Sequence, residues 1–103
     1  MHNLENDNLG EVISENKKVF VQYGASWCGV CRVMKPKIEK LSENYSDIHF
    51  VYADAEKLPG TRGFAEVANL PTYATFVDGK LVNQTIGSKI ENVEELINEI
   101  ASN

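Results

Sequence analysis

The chain has 103 residues, of which 43% are hydrophobic and 24% charged, and its formal charge is −5. That length and balance suit a single soluble globular domain with one modest core. No basic cluster is present to neutralise phosphates, which argues against a nucleic-acid binder, and no apolar run is long enough to span a bilayer.

The start, Met1-His2-Asn3-Leu4-Glu5-Asn6-Asp7, lacks the basic and apolar regions of a secretory signal. The expected compartment is therefore the cytoplasm. Leu9, Val12 and Ile13 then repeat at helical spacing behind an Asn/Asp-rich segment suited to capping, and Asn16-Lys17-Lys18 ends that helix. Val19-Phe20-Val21-Gln22-Tyr23 is β-branched and aromatic, so it reads as a buried central strand. Gly24-Ala25-Ser26 forms a loop into Trp27-Cys28-Gly29-Val30-Cys31, which holds the only two cysteines. Val30, Val33, Met34, Ile38, Leu41 and Tyr45 mark one face of the long helix that follows. Pro36 lies inside this pattern and should kink the helix without ending it.

Ile48 to Ala53 reads as a second strand, and Asp54 to Gly60 as a polar connection. Phe64, Val67 and Ala68 suggest a short helix before the break at Leu70-Pro71. Thr72–Val77 and Lys80–Ile86 are strands joined by Asp78-Gly79, the signature of a type I′ hairpin. Val93, Leu96, Ile97 and Ile100 form the apolar stripe of a final helix, and the charges from Glu91 to Glu99 its wet face. The first two strands, linked through a helix, should be parallel and the last two antiparallel.

A C-x-x-C at a strand-to-helix junction has a chemical use. The unpaired N–H groups and partial positive charge of a helix N-terminus stabilise a thiolate. A free cysteine titrates near ~8.5, and such a setting lowers it toward about 7 or below. The second cysteine, one turn on, is placed to attack a mixed disulfide formed by the first. In a reducing cytosol, paired cysteines are more often catalytic than structural. A structural zinc site needs four ligands, and only His2 and His49 are available to join the cysteines. No metal site and no bound organic cofactor is expected.

Taken together, these motifs resemble the thioredoxin family over nearly the full length. Trp27-Cys28-Gly29-Val30-Cys31 is similar to the family's W-C-G-P-C, and Pro36 stands where the family kinks its active-site helix. Leu70-Pro71-Thr72 resembles the family's apolar-Pro-Thr, whose proline peptide is cis. Asp78-Gly79 matches the last hairpin, and Gly87 the glycine closing the last strand. The resemblance implies an α/β thioredoxin fold with a central mixed sheet of four or five strands and helices on both faces. It implies a thiol–disulfide oxidoreductase that reduces protein disulfides, with roles in electron transport and cell redox homeostasis. Cys28 is the implied nucleophile and Cys31 the resolving thiol. Trp27, Gly29, Val30, Leu70, Pro71 and Gly87 are the implied substrate groove. The expected partners are protein disulfides and a thioredoxin-reductase-like electron donor, with no membrane, and the expected state is a monomer.

Three departures stand out. Val30 replaces the proline between the cysteines, restoring an N–H near the sulfurs. Gln22 stands where the family usually keeps a buried aspartate, and Tyr52 falls where it keeps the partner lysine. Both members of that charged pair are absent together, which leaves no buried charge stranded. Met1 to Leu4 leave room for no more than a vestigial first strand. The missing pair keeps a second reading open, a weakly active or inactive binding module for extended segments. Taken alone, Trp27 also reads as a packed core residue, Gln22 as a satisfied core polar group, Pro71 as a turn proline and Gly87 as a strand end.

Overall fold

The computed structural model describes residues 1–101. Five strands form one sheet: β1 (His2–Asn3), β2 (Lys18–Gly24), β3 (His49–Asp54), β4 (Thr72–Val77) and β5 (Lys80–Ile86), in the order β1-β3-β2-β4-β5. Three helices accompany it, α1 (Leu9–Glu15), α2 (Gly29–Ser42) and α3 (Ile90–Ala101). β2 lies at the centre and every one of its residues is buried, as its apolar run requires. It pairs parallel with β3 and antiparallel with β4. Buried Lys18 at its start meets the Asp47 carboxylate at 3.2 Å.

The period-2 alternation of the strands sorts the core into two layers. Val19, Val21 and Tyr23 of β2 join Val51 and Ala53 of β3 and Leu9, Val12 and Ile13 of α1 on one face. Phe20 and Phe50 point the other way, with Tyr73, onto Met34 and Ile38 of α2 and the α3 stripe Val93, Leu96, Ile97 and Ile100. Burying each such side chain contributes about 1.5–3 kcal/mol before entropy is counted.

The β4–β5 hairpin turns through Asp78 (φ 52°) and Gly79 (φ 81°), the two positive angles that a type I′ turn demands. Val77 faces Lys80 across it, and a bulge follows between Thr75 and Phe76. α2 continues through Pro36 to Ser42.

The first strand is the vestigial one expected, two residues long, and pairs parallel with Val51 and Tyr52 of β3. Three other expectations change. The short helix expected around Phe64 to Ala68 is instead a 3₁₀ helix at Pro59–Phe64. Pro59 suits a first helical turn, the Thr61 hydroxyl donates to the Leu58 carbonyl, and Asp7 accepts from the Gly60 N–H at 2.8 Å. Asn8, at the α1 N-cap, makes no capping side-chain bond. Val33, expected on the apolar face of α2, is exposed.

Candidate active site

The site forms where β2 runs out. The Gly24 carbonyl accepts from the Ala55 N–H at 2.8 Å, and the Cys28 N–H donates to the Ala25 carbonyl at 3.1 Å. A Cβ on Gly24 would overlap the Tyr52 hydroxyl, so any larger residue at that crossing would have to displace the tyrosine ring. The chain then enters α2 with Cys28 as N-cap, in extended geometry (φ −85°, ψ 102°). Its Sγ accepts from the Cys31 N–H at 3.2 Å, the place an Asp or Ser oxygen takes at other helix starts. Cys28 and Cys31 are joined as a disulfide, with their Cα atoms 5.2 Å apart. Cys28 keeps 4% of its surface exposed and Cys31 none.

Trp27 projects from the loop, 63% exposed, and does not pack into the core. Val30 (43%) and Val33 (58%) extend this apolar surface along α2. A groove of about 680 Å³ lies beside the disulfide, and Gly29 and Val30 line it with Arg32, Val33, Met34, Lys37 and Ser88. Trp27, Leu70, Pro71 and Gly87 lie outside that lining.

The Leu70–Pro71 peptide is cis. Pro71 is buried and Leu70 half-buried. Thr72 pairs with Tyr23, which brings the start of β4 to the end of β2 that delivers the cysteines. The Gly87 N–H reaches the Pro71 carbonyl at 3.4 Å, and the Tyr73 hydroxyl donates to the Gly87 carbonyl at 2.9 Å. Gly87 has φ 104°, a left-handed conformation that a side chain would strain. Pro71 and Gly87 thus meet through backbone at the cysteine end of the sheet.

Behind the disulfide, buried Gln22 donates from Nε2 to the Cys31 carbonyl at 3.1 Å, while its Oε1 has no partner among the described residues. Tyr52 pairs with Gln22 in the β2–β3 register. Burial, and then the charge of Asp54, push its hydroxyl above the ordinary tyrosine range. Sequence reasoning missed Lys35, whose ammonium lies 4.4 Å from the Tyr52 ring centroid. Its position four residues beyond Cys31, on the same helical face, was the available signal.

His2 Nδ1 and His49 Nε2 meet at 3.0 Å. Among the described residues, no three His, Cys, Asp or Glu side chains converge as ligands.

The thioredoxin family model matches residues 1–102. The chain belongs to the thioredoxin family. It is 35% identical over 85 residues to the thioredoxin of Homo sapiens, covering 82% of this chain and 81% of that one. It is 33% identical over 98 residues to thioredoxin-2 of Pyricularia oryzae, covering 94% of this chain but 57% of the relative. Among solved structures, oxidised mitochondrial thioredoxin 3 of Saccharomyces cerevisiae superposes with a TM-score of 0.88 at 31% identity, covering 97% of this chain and 95% of that chain. The five-stranded mixed sheet with helices on both faces is the thioredoxin fold. With the Cys28–Cys31 disulfide in place, the chain is a thioredoxin-type thiol–disulfide oxidoreductase acting on protein disulfides. No helix among the described residues is long and apolar enough to cross a membrane.

Proposed function

We propose that Cys28 is the attacking sulfur and Cys31 the resolving one. The Cys28 Sγ at the α2 N-cap carries this reading. Once the disulfide opens, a Cys28 thiolate keeps the Cys31 N–H as a hydrogen-bond donor and faces the positive end of a 14-residue helix. Cys31, fully buried, has no such exposure to an incoming disulfide.

The Cys28 thiolate attacks one sulfur of the substrate disulfide, and the S–S bond breaks. One substrate sulfur leaves as a thiolate and takes a proton, and the other stays bound to Cys28. Cys31 then loses its proton and attacks Cys28 Sγ. The second substrate thiol departs, and two electrons have passed from the Cys28–Cys31 dithiol to the substrate. The electrons are held in the cysteine pair, so the cycle calls for neither a metal nor an organic cofactor. Extended substrate segments run between the exposed Trp27 ring, Gly29 and Val30 on one side and Leu70, Pro71 and Gly87 on the other. The Leu70 backbone offers strand-like pairing there.

Gln22 and Tyr52 occupy the proton-relay positions, but glutamine takes up no proton. Solvent therefore accepts the proton of Cys31. The working unit is one domain over residues 1–103, a monomer of the cytoplasm, restored by a thioredoxin-reductase-like electron donor. A mitochondrial thioredoxin among the similar structures makes the compartment a point to test by localisation. Insulin reduction with dithiothreitol as electron source tests the activity directly. Turnover that vanishes in Cys28→Ser supports the assignment, and turnover that survives it removes Cys28 from the mechanism.

A further inference from the structure

Charge is distributed unevenly in this chain, and the uneven part lies beside the disulfide. The whole sequence is net negative. Helix α2 reverses that sign, with Arg32, Lys35, Lys37 and Lys40 against Glu39 alone. Lys35 is engaged with the Tyr52 ring. Arg32 and Lys37 line the groove, and neither makes an ion pair or side-chain hydrogen bond among the described residues. The surface between them is apolar, formed by Val30 and Val33 with Met34 beneath. Ser88 closes the other side, and Lys89 follows it in the chain.

We propose that this groove selects disulfide substrates whose flanking segment is both apolar and acidic. Aliphatic side chains of the segment cover Val30 and Val33, and its Asp or Glu carboxylates face Arg32 and Lys37. The inference rests on the assignment of Cys28 as the attacking sulfur, because the groove begins at Gly29 and Val30, the residues next to it. Two physical effects favour such a segment. Cations at the rim of a cleft raise the encounter rate with anionic partners. A carboxylate held against an apolar floor also forms stronger, charge-assisted bonds than one in open water. Basic segments meet the reverse of both effects.

The test uses three cyclic disulfide peptides, identical except that the positions flanking one cysteine carry Glu, Gln or Lys. Pre-reduced protein is mixed with each, and remaining thiols are counted after acid quench and alkylation. At low salt the Glu peptide is expected to react about tenfold faster than the Lys peptide, with the Gln peptide between them. The ratio should fall toward one at about 1 M salt, where screening acts over ~3 Å. Arg32→Gln combined with Lys37→Gln should abolish most of the ratio. Lys17→Gln combined with Lys80→Gln changes net charge equally at the opposite end of β2 and should preserve it.

Equal rates for the three peptides, or an equal loss of ratio in both double variants, would overturn charge selection by the groove while leaving Cys28 as nucleophile. Absence of reaction with all three would overturn both readings.

Discussion

Gln22 holds the first turn of α2 from beneath, its Nε2 donating to the Cys31 carbonyl at 3.1 Å while its Oε1, in the core, has no partner among the described residues. The amide thus anchors the resolving cysteine through its backbone and offers no group that exchanges a proton. In Gln22→Asp, a carboxyl in that fully buried setting has its pKa raised by desolvation and becomes a base near neutral pH. The rate of disulfide reduction should rise at pH 7, and its increase between about pH 6 and about pH 9 should flatten relative to the native chain. The raised pKa makes the carboxylate form costly, so stability falls as pH rises from the unfolded carboxyl pKa toward the folded one, by about 1–3 kcal/mol with the lost bond to Cys31. Superimposable pH–rate profiles would show that residue 22 has no part in proton transfer.

The order of the two sulfurs predicts unequal trapping. Cys31→Ser should accumulate mixed disulfides on Cys28, because nothing remains to resolve them, and Cys28→Ser should accumulate almost none. Non-reducing gels and mass mapping after exposure to an oxidised protein substrate read this out. Similar yields from both variants would contradict the assigned roles.

Gly87 sits at φ 104° with its carbonyl accepting from Tyr73. Open space surrounds a Cβ added there, so Gly87→Ala tests backbone strain alone. The expected loss is about 1–3 kcal/mol by urea denaturation. An unchanged midpoint would mean that the turn before α3 relaxes without resistance. Gly29→Ala, at negative φ in the first turn of α2 and also facing open space, should cost little.

His49 predicts a mild acid sensitivity. Burial first, then His2, then the N-terminal amine lower its pKa below 6.5. The unfolded chain therefore binds a proton at a pH where the folded chain does not. The associated stability is complete above about pH 6.5 and declines as pH falls through the lowered folded value. Urea midpoints at about pH 7.5 and about pH 5.5 should differ for the native chain, and His49→Gln should narrow the difference. A native difference that His49→Gln leaves intact would locate the sensitivity elsewhere.

What the sequence alone determined was local. The apolar run of β2, the turn chemistry of Asp78-Gly79 and the stripe of α3 each act within a few residues, so neighbouring residues reveal them. The Cys28–Cys31 pair also belongs here, since three residues of helix bring two sulfurs together whatever the rest of the chain does. The resemblance carried by Leu70-Pro71-Thr72 and Gly87 identified the other side of the site, although no local pattern brings those residues to the cysteines.

The tertiary structure decided what depends on distant partners. His2–Asn3 are too few to signal a strand and become one because β3 offers an open edge. The segment around Phe64 carried apolar spacing, but Pro59 and the Asp7 contact placed the helical turn earlier. Val33 has the spacing of a core residue yet faces solvent, since α2 is covered by the sheet on one side only. Lys35 and Tyr52 meet across two elements, and Arg32 and Lys37 acquire a groove only when the β5–α3 turn brings Ser88 opposite them. Periodicity reports that a face is apolar, and packing decides which part of that face is covered.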